Sequence, residues 1–313
     1  MQTNLKAILE ILETERKAIL SGQWRGWLVL LGGIALALAT STYGNALLPL
    51  LFLVAGLIYG LITLNKMSAR KRDYRIRYKE EVIAVLLHDF GQDIQFTPAA
   101  GIALSTFEGA LLFKTRVDRY HTEDRISGKK GDTSFYFAEV HAEYKTQTNT
   151  KQGRREYWHD IFKGVIFVAD FNKAFNGITV VRPKDWSASL GAWFSENIFS
   201  FDKQQVIRLE NDTFDKDFVT YSNDPIEARY ILTPALMEKI NELNRRSAYC
   251  VSLSFIRSTV YIAFPLKQNY FEPPLFRSLM REGLLDDDRN MLHFMLGIID
   301  DLNLNIRIWS KMT

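Results

Sequence analysis

The chain has 313 residues, of which 47% are hydrophobic and 24% charged, and its formal net charge is +3. The length allows one large domain or two ordinary ones, and so small a charge does not by itself indicate a nucleic-acid-binding protein. Cys250 is the only cysteine. An intrachain disulfide is therefore impossible, and a zinc site built from several thiolates is excluded.

Two uncharged apolar stretches lie near the N-terminus, from Trp27 to Tyr43 and from Ala46 to Leu64. A helix needs about 17–25 such residues to cross a bilayer, and only a helix satisfies all of its own backbone groups there. Only Gly44 and Asn45 separate the stretches, so the two helices are antiparallel neighbours. We predict a transmembrane hairpin and not a cleaved signal peptide, because the sequence before the first stretch is long and contains acidic residues.

Basic residues flank this hairpin, whereas the connection between its two stretches has no Lys or Arg. Positively charged flanks stay in the cytoplasm. The sequence therefore predicts a multi-pass protein of the inner (plasma) membrane with both termini cytoplasmic. The cations after Leu64 are candidate contacts for anionic lipid headgroups, the alternative being that they only set the topology: Lys66, Arg70, Lys71, Arg72, Arg75 and Arg77.

Small residues recur four positions apart in both apolar stretches. Gly33 and Ala37 form such a pair in the first stretch, and Gly56 and Gly60 form one in the second. Pairs of this kind let helix backbones approach closely. We expect them to pack the hairpin together, and contact between copies of the chain in a homo-oligomer is the alternative.

The remaining sequence reads as soluble protein. We divide the chain into an amphipathic N-terminal helix, the transmembrane hairpin, a basic juxtamembrane segment and a cytosolic α+β domain, at residues 1–24, 25–65, 66–80 and 81–313. Alternating apolar and polar residues predict a strand at Tyr136–Tyr144 and a partner at Tyr157–Asp170. Gly177–Arg182 is expected to extend this pair into an antiparallel β-meander.

Helical patterns complete the domain, and the order of its elements favours an α+β fold over a doubly wound parallel sheet. We expect helices at Asp73–Phe90, Thr106–Phe113, Asp185–Phe201, Thr233–Asn244, Glu272–Glu282 and Asp286–Leu302.

One polar cluster on the meander is a candidate site. Glu139, His141 and Glu143 lie two residues apart, so their side chains share a strand face, and His159 lies on the partner strand. Imidazole and carboxylate groups together are able to bind a transition metal or to transfer protons. An ordinary solvated sheet face is the alternative.

Common catalytic and cofactor-binding motifs are absent. The sequence has neither of the glycine-rich phosphate-binding motifs, no nucleophile elbow, no HExxH helix and no EF-hand loop. We accordingly predict no catalytic residue, no metal site and no cofactor, although absence of motifs does not exclude catalysis.

Several segments resemble the bacterial domain of unknown function 3137 family. The longest runs from Tyr221 to Pro234, and shorter ones are Ile161–Phe167, Glu139-Val140, Glu123-Asp124 and Phe271-Glu272. The resemblance implies a bacterial membrane protein with a cytosolic domain, and it implies no activity. Where members often have a serine before the Leu-Phe pair of the short helix, this chain reads Gly109-Ala110-Leu111-Leu112-Phe113, which puts a role for a hydroxyl there in doubt.

These observations favour a non-enzymatic, membrane-anchored binding or scaffold module. Its expected partners are the lipid bilayer and a protein of unknown identity, with a second copy of the chain as a further candidate and no nucleic acid. The alternative is an enzyme at the membrane surface that uses the His and carboxylate cluster of the meander.

Overall fold

The computed structural model describes residues 2–43, 47–91, 93–150, 153–171, 176–184, 205–247, 250–266, 268–302 and 304. The chain divides into two compact units. The first comprises Met1–Asp89 with Phe271–Asp288, and the second comprises Phe90–Tyr270 with Arg289–Thr313. The helix expected over Asp185–Phe201 lies outside the described residues, and the division into four segments stays a prediction.

The first unit contains two long helices that are apolar enough to cross a membrane. Most of their apolar side chains point outwards; Leu28, for example, is 64% exposed and Leu51 is also 64% exposed. A core helix of a soluble protein buries such residues, so the helices indicate membrane association. The elements are α1 (Gln2–Thr40), a 3-10 turn (Ser41–Tyr43), α2 (Leu47–Arg77), a π-helical turn (Tyr78–Ile83) and α3 (Ala84–His88).

Glycines lie where α1 and α2 touch. A β-carbon built on Gly33 would lie 2.8 Å from the Cα of Gly56, and one built on Gly56 would lie 2.8 Å from the Cα of Gly33. A β-carbon on Gly60 would lie 3.0 Å from that of Leu30, and Ala37 is buried. Larger residues at the two facing glycines would force the helices apart.

A buried ion pair lies on α1 before its apolar stretch begins. Arg16 donates through Nε and Nη2 to the carboxylate of Glu13 at 2.9 and 2.7 Å, and through Nη1 to the carbonyl of Leu275 at 2.8 Å. The backbone N–H of Leu279 donates to the same carboxylate at 2.9 Å. The guanidinium of Arg16 holds the pKa of Glu13 well below its usual range, so the carboxylate stays charged despite its burial.

A second ion pair lies on the C-terminal side of the apolar stretch of α2. The ammonium of Lys79, which is 3% exposed, lies 2.8 Å from a carboxylate oxygen of Glu272. Arg75 binds the other oxygen of that carboxylate at 2.7 Å, and the hydroxyl of Tyr74 donates to the carbonyl of Pro274 at 3.2 Å. Moving the segment Phe271–Asp288 away from the long helices would separate the buried ammonium of Lys79 from the carboxylate of Glu272, which is costly. These contacts therefore hold the segment in place.

That segment corrects a prediction, because residues 272–282 form bends and turns and not a helix. Pro273 and Pro274 have no N–H to donate and so disfavour a regular helix here. The backbone groups bond instead to side chains of α1 and α2, as described above. Leu275 and Leu279 are nevertheless buried in this irregular segment.

Asp288 ties the two ends of the segment together. Its Oδ1 accepts a hydrogen bond from the N–H of Phe271 at 2.8 Å, where the backbone has a φ of +59°. Burial raises the pKa of Asp288 to about 6, and the negative charges of Asp287 and Glu272 add to the rise. The hydrogen bond from Phe271 opposes this rise without cancelling it.

We expect Asp288→Asn to raise the free energy of unfolding above the folded-state pKa of about 6. The unfolded carboxyl ionises near 3.8, so the wild-type fold loses stability as the pH rises between these two values. Above this window the buried charge costs about 3 kcal/mol, whereas the Asp288→Asn side chain keeps the acceptor for Phe271 without the charge. Unfolding of the detergent-solubilised chain above and below the window measures the difference, with Asp73→Asn as the exposed control. Equal stability of Asp288→Asn and wild type at alkaline pH would contradict the account.

The second unit is built on a nine-stranded antiparallel sheet with the order β1-β2-β3-β4-β9-β8-β5-β7-β6. This confirms the α+β class and the meander, which is formed by β2, β3 and β4. The strands are β1 (Gln95–Thr97), β2 (Arg119–Lys130), β3 (Thr133–Thr150), β4 (Gly153–Asp170), β5 (Ile178–Pro183), β6 (Gln205–Ile207), β7 (Phe218–Ser222), β8 (Ser252–Ile256) and β9 (Thr259–Pro265).

The remaining helices of the described chain are short apart from two. They are α4 (Leu104–Gly109), α5 (Asp212–Asp217), α6 (Pro225–Ile231), α7 (Pro234–Arg246) and α8 (Asp286–Asp301), the last of which begins in the first unit.

The segment Gly177–Arg182 does not extend the meander as predicted. It contributes to β5, which pairs with β7 and β8, and β4 has β9 as its second neighbour. The backbone of β9 passes Gly164 so closely that a β-carbon there would collide with the carbonyl of Phe264. From Gly164 to Ala169 every residue of β4 is buried, as is typical of a central strand covered on both faces.

The two faces of β3 have different surroundings. Its side chains at Ala138, Val140 and Ala142 lie in the core with Phe107 and Phe113, which come from α4 and the turn after it. On the opposite face, Phe135 and Phe137 stack with Phe167 at ring-centroid distances of 6.0 Å. Further along that second face the side chains become polar, and this is where the candidate site lies.

Candidate functional site on the meander

Charged and imidazole side chains cover one face of β2, β3 and β4, and we call this surface the polar face. Strand register places its members opposite one another, so their side chains point to the same side. They comprise four carboxylates, two imidazoles and two cations: Glu123, Glu139, Glu143, Asp160, His121, His141, Arg119 and Lys163.

Ion pairs organise the β2 side of the polar face. Arg119 lies opposite Glu143, and its Nη1 is 3.1 Å from the Glu143 carboxylate. His121 lies opposite His141, and its Nε2 is 3.4 Å from the Glu123 carboxylate. The ion pair with Arg119 restrains the side chain of Glu143, which is mostly buried. The side chain of His121 is largely exposed and is less restrained.

A β-bulge determines which residue of β4 joins His141 and Glu143. The pairing of Ala142 with Phe162 is followed by pairing of Glu143 with Asp160, so Ile161 has no counterpart on β3. The extra residue turns Asp160 towards the polar face. Its Oδ1 lies 2.7 Å from Nε2 of His141, and the three side chains offer ligand atoms that all lie within 4.8 Å of one another.

The structure does not bring His159 to the other three residues of the predicted cluster. His159 pairs with Tyr144 in the register, and its ring stacks on that of Tyr144 at a centroid distance of 4.9 Å. Its Nε2 lies 2.8 Å from Oγ1 of Thr146. His159 therefore lies on the opposite face of the sheet, because the bulge shifts the alternation of β4 by one residue.

Glu139 lies at the border of a small cavity beside the cluster. Its carboxylate accepts a hydrogen bond from the N–H of Tyr270 at 2.7 Å. The cavity has a volume of about 70 Å³ and is lined also by His121, His141 and Lys163. A space of this size holds a few water molecules, so a small ligand or ordered water has access to the imidazole of His141.

The basic residues after Leu64 fall into two groups. Four of them, Lys66, Arg70, Lys71 and Arg72, are exposed on α2. The other two form ion pairs within the first unit, Arg75 with Glu272 at 2.7 Å and Arg77 with Glu15 and Glu81. Contact of all six with lipid headgroups stays a prediction, and the two paired residues have less freedom to make it.

Comparison with known proteins agrees with the resemblance drawn from the sequence. Residues 160–304 match the family model described as Protein of unknown function (DUF3137). This match supports the family assignment drawn from the sequence. The match includes the segments Ile161–Phe167, Tyr221–Pro234 and Phe271-Glu272, whereas Glu123-Asp124 and Glu139-Val140 precede it.

No curated protein matches the chain. Among solved structures, the mycobacterial trehalose monomycolate transport factor A, TtfA, is similar at 8% sequence identity, over 72% of this chain and 95% of that chain, with a TM-score of 0.38. So low a score supports no statement about the function of this chain.

The longest segment behind the DUF3137 resemblance has a structural role. The side chain of Asn223 accepts a hydrogen bond from the N–H of Ile178 at 2.7 Å, and Glu227 accepts from the N–H groups of Asn176 and Gly177. These contacts fasten the start of α6 to the start of β5. The segment therefore builds a turn in the sheet and does not contribute to the polar face.

We expect Asp224→Ala to lower the free energy of unfolding by about 1 kcal/mol, the usual cost of losing an N-cap. The Asp224 carboxylate accepts from the N–H groups of Ile226 and Glu227 at 2.9 and 3.0 Å, and the alanine side chain leaves both without this partner. Asp224→Asn retains an acceptor and should restore most of the loss in a denaturation experiment. If Asp224→Asn proves as unstable as Asp224→Ala, the cap is not the reason for the loss.

Sequence reasoning missed Asp160 and Arg119. The available signal was the pair Ile161-Phe162, two adjacent apolar residues that interrupt the alternation of β4 and are both buried. Two consecutive inward residues are typical of a bulge. The role of Arg119 had no comparable signal, because its position opposite Glu143 follows only from the register of β2.

Proposed function

We propose that the chain is a membrane-anchored cytosolic binding module that presents a β-ribbon to a protein partner. The ribbon arm, as we call it, consists of residues 144–150 of β3 and 153–160 of β4. It supports the proposal because, among the described residues, the strands beside it stop short of it. β2 pairs with β3 only as far as Glu143, and β9 pairs with β4 only between Gly164 and Asp170.

The ribbon arm is long, and its β4 strand is exposed. Its paired positions run from Tyr144–His159 to Thr150–Gly153 and span about 20 Å at the usual rise per residue. Every residue of β4 from Gly153 to Asp160 is exposed. A two-stranded hairpin without further packing is only marginally stable in water, so an arm of this length gains stability when a partner covers it.

Aromatic side chains near the base of the arm give it a defined contact surface. Trp158 is 38% exposed, and the guanidinium of Arg119 lies over its ring at 3.7 Å from the centroid. Lys145 lies 5.7 Å from the same ring and binds Glu156 across the strands at 2.5 Å. Exposed tryptophan held in one orientation is typical of residues that contribute most to protein binding.

Anchoring follows from the apolar hairpin. Insertion of the stretches Trp27–Tyr43 and Ala46–Leu64 into the inner membrane leaves the basic flanks, and with them both termini, in the cytoplasm. Tethering then raises the effective concentration of the module towards membrane partners. Only the short connection between the two stretches reaches the other side.

We expect a photo-crosslinking amino acid at Tyr157 to capture one protein partner in intact membranes, and Trp158→Ala to abolish the crosslink. Tyr230 is the matched control, because it is similarly exposed but lies on α6. The same captured proteins from both positions, or a yield unchanged by Trp158→Ala, would contradict binding through the ribbon arm.

We expect the connection between the apolar stretches to face away from the cytoplasm. Cys250 is the only cysteine, so Cys250→Ser removes all labelling of native thiols and leaves only the introduced cysteine to react. A cysteine at position 45 should then react with a membrane-impermeant maleimide in intact spheroplasts, whereas a cysteine at position 66 should react only after lysis. The reverse pattern would show that the domain lies outside the cytoplasm.

A membrane-surface enzyme is the second candidate, and the observation in its favour is the hydrogen bond between His141 and Asp160 at the edge of the cavity. A carboxylate that orients an imidazole is a recurring arrangement in proton transfer. A small-molecule conversion by the purified chain that is lost in His141→Ala and retained in His159→Ala would support this candidate over binding alone.

A further inference from the structure

We propose that His141, Glu143 and Asp160 form a binding site for a divalent transition-metal ion of the zinc class. The site supplies one imidazole nitrogen and two carboxylate oxygens from two adjacent strands. It differs from the cluster expected from the sequence, because Asp160 takes the position that the sequence pattern assigns to His159. The site adjoins the base of the ribbon arm, which ends at Asp160, but it requires neither a protein partner on the arm nor the membrane anchor.

The distances fit such an ion with little rearrangement. Zinc lies about 2.1 Å from nitrogen and oxygen ligands, so ligand atoms in a tetrahedral site lie about 3.4 Å apart. The three side chains already place their ligand atoms within 4.8 Å of one another. Rotation of side chains closes the remaining distance, and the hydrogen-bonded contact of 2.7 Å between His141 and Asp160 opens slightly as the ion replaces the proton.

The ligand set selects the class of ion. Calcium and magnesium prefer sites made of oxygen atoms alone, whereas an imidazole favours zinc, iron, cobalt or nickel. Two carboxylates neutralise the charge of a divalent ion. Three protein ligands leave one tetrahedral position open for water, which is the coordination of zinc sites that are not purely structural.

The surroundings of the three ligands favour a cation. The polar face has four carboxylates against two cations, Arg119 and Lys163. Arg119 binds Glu143 through Nη1 at 3.1 Å, and an outer partner of this kind fixes the orientation of a metal-ligating carboxylate. The cavity of about 70 Å³ borders His141 and provides room for the water at the open position.

The contacts themselves have a simpler explanation, which is a solvated sheet face with one His–Asp hydrogen bond and one Arg–Glu ion pair. The two explanations differ in the role of the bulge at Ile161. In a metal site it is required, because without it Ile161 would lie opposite Glu143 and Asp160 would move to the other face of the sheet. His159 is therefore the matched control, since it is adjacent to Asp160 and lies on the other face of the sheet.

The test is titration of the untagged full-length chain in detergent, after removal of metal with a chelator. We expect one zinc ion to bind per chain by calorimetry, and one cobalt ion to give the visible absorption of a nitrogen- and oxygen-ligated site. His141→Ala and Asp160→Asn should each weaken zinc binding at least about tenfold, whereas His159→Ala should not change it. Zinc should also raise the unfolding temperature of wild type and of His159→Ala, but not that of Asp160→Asn.

Two results would overturn the proposal. One is wild type that binds neither ion at micromolar concentration, and the other is binding that His159→Ala weakens as much as Asp160→Asn does. Unfolding temperatures measured without metal show whether each variant is folded. If Asp160→Asn is unfolded, Glu143→Gln replaces it, and unchanged zinc affinity in that folded variant would equally contradict the site.

Discussion

The absence of charge between Trp27 and Leu64 is the constraint on which the first unit depends. Inside a bilayer the helices gain no stability from burying apolar surface against each other, so contact relies on close packing, and Gly33 and Gly56 provide it. Outside the apolar stretches, ion pairs and hydrogen bonds stabilise the first unit. Buried ion pairs of Glu13 with Arg16 and of Lys79 with Glu272 hold the segment Phe271–Asp288 against the same two helices, where charges are tolerated because each has a partner.

In the second unit, one extra residue in β4 links the two surfaces to which we assign function. On one side of Ile161 the strand lies in the middle of the sheet and is covered on both faces. On the other side it continues only as half of the ribbon arm. The bulge also turns Asp160 towards His141. The ion site and the base of the arm therefore share the same local geometry, and Arg119, which contacts both Glu143 and Trp158, lies between them.

The sequence predicts those features that depend on composition over many residues. The length of the two uncharged apolar stretches identifies the hairpin, and the alternation of apolar and polar residues identifies β3. Both patterns are repeated along the whole element. Features that depend on how one strand is aligned with its neighbour are not predictable from such repeated patterns. One bulge turns Asp160 towards the polar face and His159 away from it, and β9 pairs with the edge of β4 at which Gly177–Arg182 was expected. The helix expected at Glu272–Glu282 is absent because Pro273 and Pro274 interrupt it and the backbone bonds to side chains of the long helices instead.

Extraction of membranes with alkaline carbonate tests the central constraint most directly. Carbonate releases proteins held at a membrane by ionic contacts, whereas two inserted helices keep the chain in lipid, because withdrawal would expose all of their apolar surface to water. We predict that the intact chain stays in the membrane pellet, and that a variant with Lys in place of both Leu31 and Leu57 is released. Release of the intact wild-type chain into the supernatant would contradict insertion of the hairpin and with it the account of the first unit.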